Sequence, residues 1–220
     1  DEDGNMLDGA VFTLKDITSD KDISESLKDM KNTMTLSGIL IGGHTYELQE
    51  TKAPEGYKKA VEPVQFTLGT DGLITQVGSW TETGYAVSED KKGITLTDAP
   101  TVFVLKKTAE DTKEPQEGVV FEITPESGCN FADSSTDSIT ATTDADGQVI
   151  VRGQLVNGMS YHVEETLAKT GYTYAESFII TVDDAGNVKA GDSMISEDSP
   201  HAIVDSPIAV GIQKVDDSKE

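Results

Sequence analysis

The residues from Tyr46 to Tyr57 read "YELQETKAPEGY", and they decide how this chain folds. The stretch begins as an alternating strand and breaks at the turn sequence Ala-Pro-Glu-Gly. Side chains two positions apart on a strand point to the same face, so Glu50 shares a face with Tyr46 and Leu48. If those two residues face a core, a carboxylate is buried beside them. Burying a carboxylate is costly unless it has a partner.

The same stretch returns later in the chain as "YHVEETLAKTGY", which places Glu165 at the position of Glu50. Two other markers repeat in the same order. "GAVFTL" returns as "GVVFEI", and "ITLTDAP" returns as "AIVDSP", which places Asp205 at the position of Asp98. All three markers recur at a nearly constant period of about 110 residues, which is too long for a solenoid unit and indicates duplicated domains.

A third start of the repeat lies at the end of the sequence. "VGIQKVDDSKE" resembles "VFVLKKTAEDTKE", so Lys214 stands one repeat after Lys107 at the same position of the pattern. We therefore predict one domain over residues 1–100, a second over residues 101–209, and a tail or further domain beginning over residues 210–220. No counterpart of Lys107 precedes "GAVFTL", so the first domain is expected to lack its first strand.

Composition and charge exclude several classes of function. The chain has 40 acidic and 17 basic residues and a net charge of -23, so it should repel nucleic acid and anionic membranes. A single cysteine, Cys129, rules out an internal disulfide framework. No apolar run approaches the length of a membrane-spanning helix, no phosphate-binding or nucleophile motif occurs, and no cofactor is indicated.

Short alternating segments bounded by turn sequences predict an all-β fold. Examples are "VQFTL", "QVIVRG" and "FIITV", with "TDG", "DADG" and "DDAGN" as hairpin signals. We predict two tandem Greek-key β-sandwich domains joined near Pro100. The segment Lys21–Met34 is expected to hold a short helix or an inserted loop.

The second repeat carries three polar residues on otherwise apolar strands: Lys107, Glu165 and Asp205. Lys107 has the parity of Phe103 and Leu105, so it should point inward with them. Burial lowers the pKa of an amine and raises that of a carboxyl group, so such groups tend toward neutrality. A neutral amine held against a carboxylic acid, with a second carboxyl group to move protons, is able to condense to an amide and release water.

Both repeats resemble Cna B-type domains, the SpaA-like stalk modules of Gram-positive surface adhesins and pilins. The most specific element is Tyr-x-Leu-x-Glu-Thr-x-Ala-Pro-x-Gly-Tyr, which Tyr46–Tyr57 matches at every fixed position. The resemblance implies a prealbumin-like or immunoglobulin-like sandwich, an extracellular, cell-wall location, and an isopeptide bond between a strand lysine and an acceptor near the end of the domain. By that likeness Lys107 is the donor, Asp205 the acceptor and Glu165 the catalyst.

The first repeat implies Glu50 as catalyst and Asp98 as acceptor, with no donor of its own. Lys214 would be the donor of a following domain. A head-to-tail hypothesis follows, in which the tail Val210–Asp216 of one copy supplies the missing strand to another. Lys106 remains an alternative donor if the register of the strand shifts by one residue.

The favoured interpretation is a structural stalk rather than an enzyme, in contact with neighbouring domains of the same surface protein. The alternative is an adhesin module that binds a host matrix protein or glycan through Lys21–Met34 or the region around Trp80, although core packing of Trp80 is the simpler expectation. A catalytic protein that uses these domains as spacers is a third possibility. The histidines and Cys129 lack metal-ligand spacing, so no metal site is predicted.

Overall fold

The computed structural model describes residues 3–214, which form an all-β protein of two tandem domains. In the first domain, one antiparallel sheet has the strand order β2-β1-β3-β4-β5, and β6 pairs with β7 as a second sheet. The strands are β1 (Val11–Asp16), β2 (Lys21–Asp22), β3 (Thr45–Lys52), β4 (Val64–Leu68), β5 (Ile74–Val77), β6 (Tyr85–Val87) and β7 (Ile94–Leu96).

The second domain has a larger sheet of order β10-β9-β12-β13-β14-β15 and a three-stranded sheet of order β11-β8-β16. Its last strand runs parallel to its first, and all the other ladders are antiparallel. The strands are β8 (Val102–Ala109), β9 (Val120–Pro125), β10 (Ile139–Thr142), β11 (Gln148–Arg152), β12 (Ser160–Leu167), β13 (Phe178–Val182), β14 (Val188–Ala190), β15 (Ser193–Ile195) and β16 (His201–Asp205).

Alternation along the strands builds one core in each domain. Tyr46 and Tyr161, at equivalent positions of the repeated motif, are both buried among apolar side chains. In each domain the hydroxyl of this tyrosine accepts the backbone N–H of the residue five positions earlier, Ile41 at 2.7 Å and Val156 at 2.8 Å. The prediction of two tandem sandwich domains is therefore confirmed, and the hydrogen bond explains why the buried ring is tyrosine.

Two local features differ from the simplest expectation. The segment Lys21–Met34 contains a single 3-10 turn, Ser24–Leu27, and no α-helix, because it has no apolar face longer than one turn. The "DADG" turn does not close a hairpin within one sheet. It carries the chain from β10 in one sheet to β11 in the other, whereas "TDG" and "DDAGN" connect paired neighbours.

The turn at the end of the first motif packs against the second domain. The carbonyl oxygen of Gly56 accepts the backbone N–H of Thr101 at 2.8 Å and its hydroxyl at 3.1 Å, and the same hydroxyl lies 2.8 Å from the carbonyl oxygen of Leu155. The N–H of Lys59 also reaches the carbonyl oxygen of Ala185 at 3.1 Å. Buried backbone groups of both domains are thus satisfied by one another across the junction.

Replacing Gly56 by Ala is expected to open this junction. The residue has a φ of +86°, and an added Cβ would lie 2.3 Å from the carbonyl oxygen of Gly153. Gly171, its counterpart at the other end of the second domain, has a φ of +91° and no neighbour within 4 Å of an added Cβ. In both G56A and G171A the free energy of unfolding should fall by about 1–2 kcal/mol, because alanine is strained in the left-handed conformation. Only in G56A must the two domains also move apart to make room for the added Cβ.

Trypsin cleavage after Lys58 and Lys59, at the junction, measures that separation. G56A should be cut there several-fold faster than wild type, while G171A should be cut at the wild-type rate. Equal cleavage of G56A and G171A would mean that the two domains are not held together by this contact.

Candidate functional site

Strand β8 places the side chain of Lys107 in the interior of the second domain. Phe103, Leu105 and Lys107 lie on one face of the strand and are fully buried. Lys106 lies on the opposite face and is only half-buried. The register of the strand therefore presents Lys107, and not Lys106, to the carboxyl groups.

A β-bulge follows the motif glutamate in both domains. The pairing of β12 with β9 skips Thr166, directly after Glu165, and the pairing of β3 with β1 skips Thr51, directly after Glu50. Bulges bend a strand and turn a neighbouring side chain to a new direction. The chain then returns so that the backbone N–H ten residues further on reaches the carboxyl group: Ala175 is 3.0 Å from Glu165 Oε2, and Ala60 is 2.8 Å from Glu50 Oε2. The Glu-Thr pair and the turn after it thus fix the position of the carboxyl group.

Lys107, Glu165 and Asp205 meet in the core of the second domain. The Nζ atom of Lys107 lies 2.6 Å from Glu165 Oε2 and is in direct contact with Asp205 Oδ1, and none of the three side chains has solvent exposure. Asp205 ends strand β16, which runs parallel to β8, and its own carbonyl oxygen accepts the N–H of Glu110 at 2.8 Å. The first and last strands of the domain are therefore adjacent at this point.

The proton balance of the cluster follows from its burial. One ammonium facing two carboxylates would leave a net negative charge in the core, so the cluster is expected to retain an additional proton. Burial raises the pKa of Asp205 above its ordinary value, and contact with Lys107 opposes that shift. Glu165 Oε1 and Asp205 Oδ2 are buried without a hydrogen-bond partner. Protonation of a carboxyl group would turn one of these oxygens into a donor and reduce the unbalanced charge.

Sequence analysis missed one member of the cluster. The ring of Phe121, the phenylalanine of the repeated "GVVFEI" segment, lies beneath the lysine with its centroid 5.8 Å from Nζ. Its position on β9, opposite Glu165, places it there. An aromatic face attracts a cation and excludes water. The Phe121 ring therefore forms the apolar wall of the site next to the Lys107 amine. The signal was present in the sequence, because both repeats have a phenylalanine at this position.

Asp16 of the first domain is buried and pairs with His44. Two further carboxyl groups of this domain are buried, those of Glu50 and Asp98. Among the residues that the structure describes, neither forms an ion pair with a lysine or arginine. The backbone N–H of Glu50 donates to the hydroxyl of Tyr85 at 3.0 Å, a contact that the sequence did not predict. Glu50 Oε1 is buried without a hydrogen-bond partner. The first domain thus has two of the three groups of the cluster.

The stability of the first domain is expected to fall as pH rises from about 4 to 8. Burial raises the pKa of Glu50 from 4.5 to about 8 and that of Asp98 from 3.8 to about 6. Because both folded-state values exceed the unfolded ones, the folded domain binds more protons, so its stability is fully present below pH 4 and is lost as pH rises through 6 and 8. Trp80, the single tryptophan, lies in the core of this domain, so its fluorescence follows unfolding there.

The E50Q variant is the control for that measurement, because it removes the carboxyl group with the higher of the two raised pKa values and should flatten the curve above pH 6. A melting temperature of the Trp80 transition that increases from pH 5 to 8 in dilute wild-type protein would contradict the prediction.

A family profile described as the SpaA prealbumin-like fold domain matches residues 1–84 and again residues 101–194. The chain belongs to this family. The predicted recognition of SpaA-like domains in tandem is confirmed, and the chain is placed in a family of structural pilin and adhesin domains. No curated protein matches the chain.

Solved structures of similar SpaA-like proteins come from Gram-positive pili. The shaft pilin SpaA of Lactobacillus rhamnosus GG is 18% identical over 96% of this chain and 92% of that one, with a TM-score of 0.39. A C-terminal fragment of the pilus adhesin SpaC from the same organism is 19% identical over 95% and 93%, with a TM-score of 0.43. The pilus adhesin RrgA of Streptococcus pneumoniae is 18% identical over 43% and 11%, with a TM-score of 0.35.

The remaining sequence candidates contribute no side chain to either cluster. Trp80 is buried in the core of the first SpaA-like domain, so it offers no exposed platform for a glycan. Cys129 is a half-buried free thiol. Within residues 3–214 no three histidine, cysteine or acidic side chains converge as a metal site, and no helix is long and apolar enough to cross a bilayer. Lys214 is exposed, and residues 215–220 of the predicted tail lie outside the described part of the chain.

Proposed function

We propose that this chain is a structural stalk segment of a cell-surface pilin or adhesin, stiffened by a self-formed amide between Lys107 and Asp205. The observation that carries the proposal is the direct contact of Lys107 Nζ with Asp205 and Glu165 in a core without solvent exposure. The buried contact satisfies the geometric requirement for condensation, because the reacting atoms are held together before reaction. Membership of the SpaA family supports an extracellular structural role.

The proposed reaction needs both partners in their neutral forms. In a medium of low polarity, transfer of a proton from the ammonium of Lys107 to the carboxylate of Asp205 removes two buried charges. The amine nitrogen then attacks Cγ of Asp205, and Glu165 in its acid form donates a proton to the carbonyl oxygen. Glu165 next moves a proton from nitrogen to the departing hydroxyl group, so that the C–O bond breaks and one water leaves. The proton on the carbonyl oxygen then returns to Glu165, which restores its acid form and leaves a neutral amide. The site reacts once and is not an enzyme in the ordinary sense.

The strand arrangement gives such a bond a mechanical role. The chain enters the second domain at the start of β8 and leaves at the end of β16, and these strands are adjacent and parallel. Tension along a stalk would therefore pass from Lys107 through the amide to Asp205. The segment between the two residues, which are 98 positions apart, would carry no load. The sandwich could then remain folded under forces that would otherwise unzip it.

The same bond would also stabilise the domain at equilibrium. A covalent link that closes a loop of 98 residues restricts the unfolded chain. The loop-closure relation derived for disulfides gives about 4–5 kcal/mol for a loop of this length. An amide resists reduction, which suits a chain with a single cysteine.

We also propose domain limits of 1–100 and 101–209, with residues 210–220 as the beginning of a following element. The support is the repeated bridge between motif and linker: Tyr57 pairs with Pro100, and Tyr172 pairs with Pro207. Each bridge fastens the end of a domain to its own motif turn, so the chain leaves both domains in the same way.

The intact mass of the purified chain tests the proposal. Formation of one amide removes one water, so the mass should be about 18 Da below the sequence mass. Peptide mapping should then recover a branched peptide that joins the fragments containing Lys107 and Asp205. An unmodified mass, with both residues in linear peptides, would overturn the proposal.

A further inference from the structure

Gln116 is a buried polar residue of the second domain that the proposed reaction does not use. Its side chain is 2% exposed, and both Nε2 and Oε1 are buried without a hydrogen-bond partner. Among the residues that the structure describes, no other side chain has two unpaired buried polar atoms. An unpaired buried amide destabilises a folded protein, because it has lost its hydrogen bonds to water and gained none in return. Such a group in a native protein requires an explanation.

Packing does not require an amide at this position. Gln116 stands two residues before Gly118 of "GVVFEI", and the equivalent residue before "GAVFTL" in the first repeat is Leu7. Leu7 is half-buried. Leucine has nearly the size of glutamine and no polar group to satisfy, so it would fill the same space at a lower cost. The fold alone therefore does not explain the polarity of Gln116.

The backbone places Gln116 directly opposite Lys107. Thr108 and Pro115 form an antiparallel bridge, and the next pair along it is Lys107 and Gln116. The N–H of Gln116 donates to the carbonyl oxygen of Lys107 at 3.0 Å, and its own carbonyl oxygen accepts the hydroxyl of Thr143 at 2.6 Å. Opposing residues of an antiparallel pair project to the same face. Since Lys107 points into the core, the side chain of Gln116 enters the core beside it.

Gln116 and Asp205 lie on opposite sides of Lys107. Strand β8 has β16, which ends at Asp205, along one edge and β11 along the other. Gly147 immediately precedes β11, and its carbonyl oxygen accepts the N–H of Lys107 at 2.7 Å. A Cβ added to Gly147 would lie 3.1 Å from the backbone nitrogen of Gln116, so Gln116 is on the β11 side. The amine of Lys107 thus extends from a strand with the carboxyl group on one flank and the amide on the other.

The cluster lacks the hydrogen-bonding groups that the Gln116 side chain offers. A lysine ammonium has three donors, and two of those of Lys107 have acceptors, on Glu165 and Asp205. Glu165 Oε1 and Asp205 Oδ2 have no donor. The cluster is therefore short of one acceptor and two donors, and a glutamine amide supplies one acceptor and two donors. The terminal torsion of glutamine is soft, so its amide is able to turn toward the cluster without moving the backbone.

We propose that Gln116 is a positioning residue for amide formation, whose Oε1 accepts an N–H of the Lys107 amine and directs the lone pair of nitrogen at Cγ of Asp205. The inference rests on the proposed function, because it concerns the same bond. After Lys107 has lost its proton, the amine has two N–H groups and one lone pair. Glu165 Oε2 accepts one N–H and Gln116 Oε1 accepts the other, so the lone pair faces the carbon that it attacks. Gln116 exchanges no proton, so one water still leaves for one amide formed.

The rate of amide formation in the full chain tests this role. Chain produced as insoluble aggregates and dissolved in urea should start at the sequence mass. Dilution out of urea starts folding, and the intact mass of acid-quenched samples follows the loss of about 18 Da. Q116M has nearly the same length and no acceptor, so it should form the amide about 10–100-fold more slowly than wild type. Q154M, which changes an exposed glutamine, is the matched control and should react at the wild-type rate.

Stability separates positioning from packing. In the E165Q background no amide is expected, so urea unfolding reports only the non-covalent fold. Q116M/E165Q should be at least as stable as E165Q, because methionine removes an unpaired buried amide and keeps the volume. Slow amide formation in Q116M together with a less stable Q116M/E165Q would show a packing role and would overturn the proposal.

Q116E gives a pH profile that a packing role would not produce. A protonated glutamate keeps a carbonyl acceptor, whereas an ionised one adds a third carboxylate that favours the unreactive ammonium form of Lys107. The rate of Q116E relative to wild type should therefore be close to one at acidic pH and fall as pH rises. The relative rate of Q116M should be low throughout. A Q116E rate as low as that of Q116M at every pH would show that the carbonyl oxygen has no role.

Failure of this inference is distinguishable from failure of the proposed function. If the refolded wild-type chain keeps its full sequence mass, the proposed amide is absent and the inference falls with it. If the wild type loses one water and Q116M loses it at the same rate, the amide is real and Gln116 does not position its amine.

Discussion

The E165Q variant is expected to keep its full sequence mass, whereas the wild-type chain should lack about 18 Da, the mass of one water. Glutamine has the size of glutamate, and its carbonyl oxygen is able to accept the N–H of Ala175 that Glu165 Oε2 accepts at 3.0 Å. It cannot carry a proton between the amine and the departing hydroxyl group. The substitution therefore removes the proposed chemistry and preserves the packing of the site.

Loss of the amide should also lower the stability of the second domain. The free energy of unfolding should fall by about 4–5 kcal/mol, the loop-closure value for a loop of about 100 residues. For a domain of this size that loss corresponds to a decrease in melting temperature on the order of 20 °C. Calorimetry resolves the change, because the first domain should unfold at an unchanged temperature.

Glu164 provides the matched control, since it precedes Glu165 on the same strand and its side chain is exposed. E164Q should have the mass and the melting temperature of the wild type. A mass deficit that persists in E165Q would show that the amide forms without this carboxyl group, and Glu165 would then be only a structural partner of Lys107.

The duplication made much of the fold accessible from sequence. A lone inward glutamate is an ambiguous signal, but Glu50 and Glu165 at one motif position indicate a common structural constraint. The structure shows that constraint as a bulge at the following threonine and a backbone N–H ten residues further on. The bulge and the backbone N–H leave no periodic pattern in the sequence. Strand alternation therefore predicts that the carboxyl group points inward, but not which groups fix its position.

Contacts between distant segments were harder to predict. Tyr85 reaches the amide of Glu50 across 35 residues, and Phe121 reaches Lys107 from another sheet. The "DADG" turn has the local chemistry of a hairpin, but its flanking strands pair with different partners. These contacts and pairings depend on how the two sheets pack against each other, and local sequence propensity does not determine that packing.

The K107M variant should destabilise the second domain more than E165Q does. Methionine fills nearly the same volume, but it removes the only cation in contact with Glu165 and Asp205 among the described residues. Breaking a buried ion pair from one side typically costs about 3–5 kcal/mol, because the remaining charge is buried alone. E165Q loses the amide but keeps the contact of Lys107 with Asp205, whereas K107M loses both.

The destabilisation by K107M should depend on pH. Burial already raises the pKa of Asp205, and removal of the ammonium takes away the contact that opposes this shift. The folded variant would then bind more protons than the unfolded chain, so its stability would be retained at acidic pH and lost as pH rises through the raised pKa of Asp205. Urea unfolding of K107M at several pH values should show a steady decline from acidic to neutral pH.

Two comparisons separate the buried charge from a simple packing defect. K106M changes the neighbouring lysine on the other face of β8 and should leave both stability and its pH dependence close to wild type. K107M/D205N replaces one carboxyl group by a neutral amide and should recover part of the loss at neutral pH, but little of it at acidic pH. If K107M were destabilised equally at all pH values, a packing defect would explain the result. That result would mean that Lys107 does not compensate the buried charge of Glu165 and Asp205.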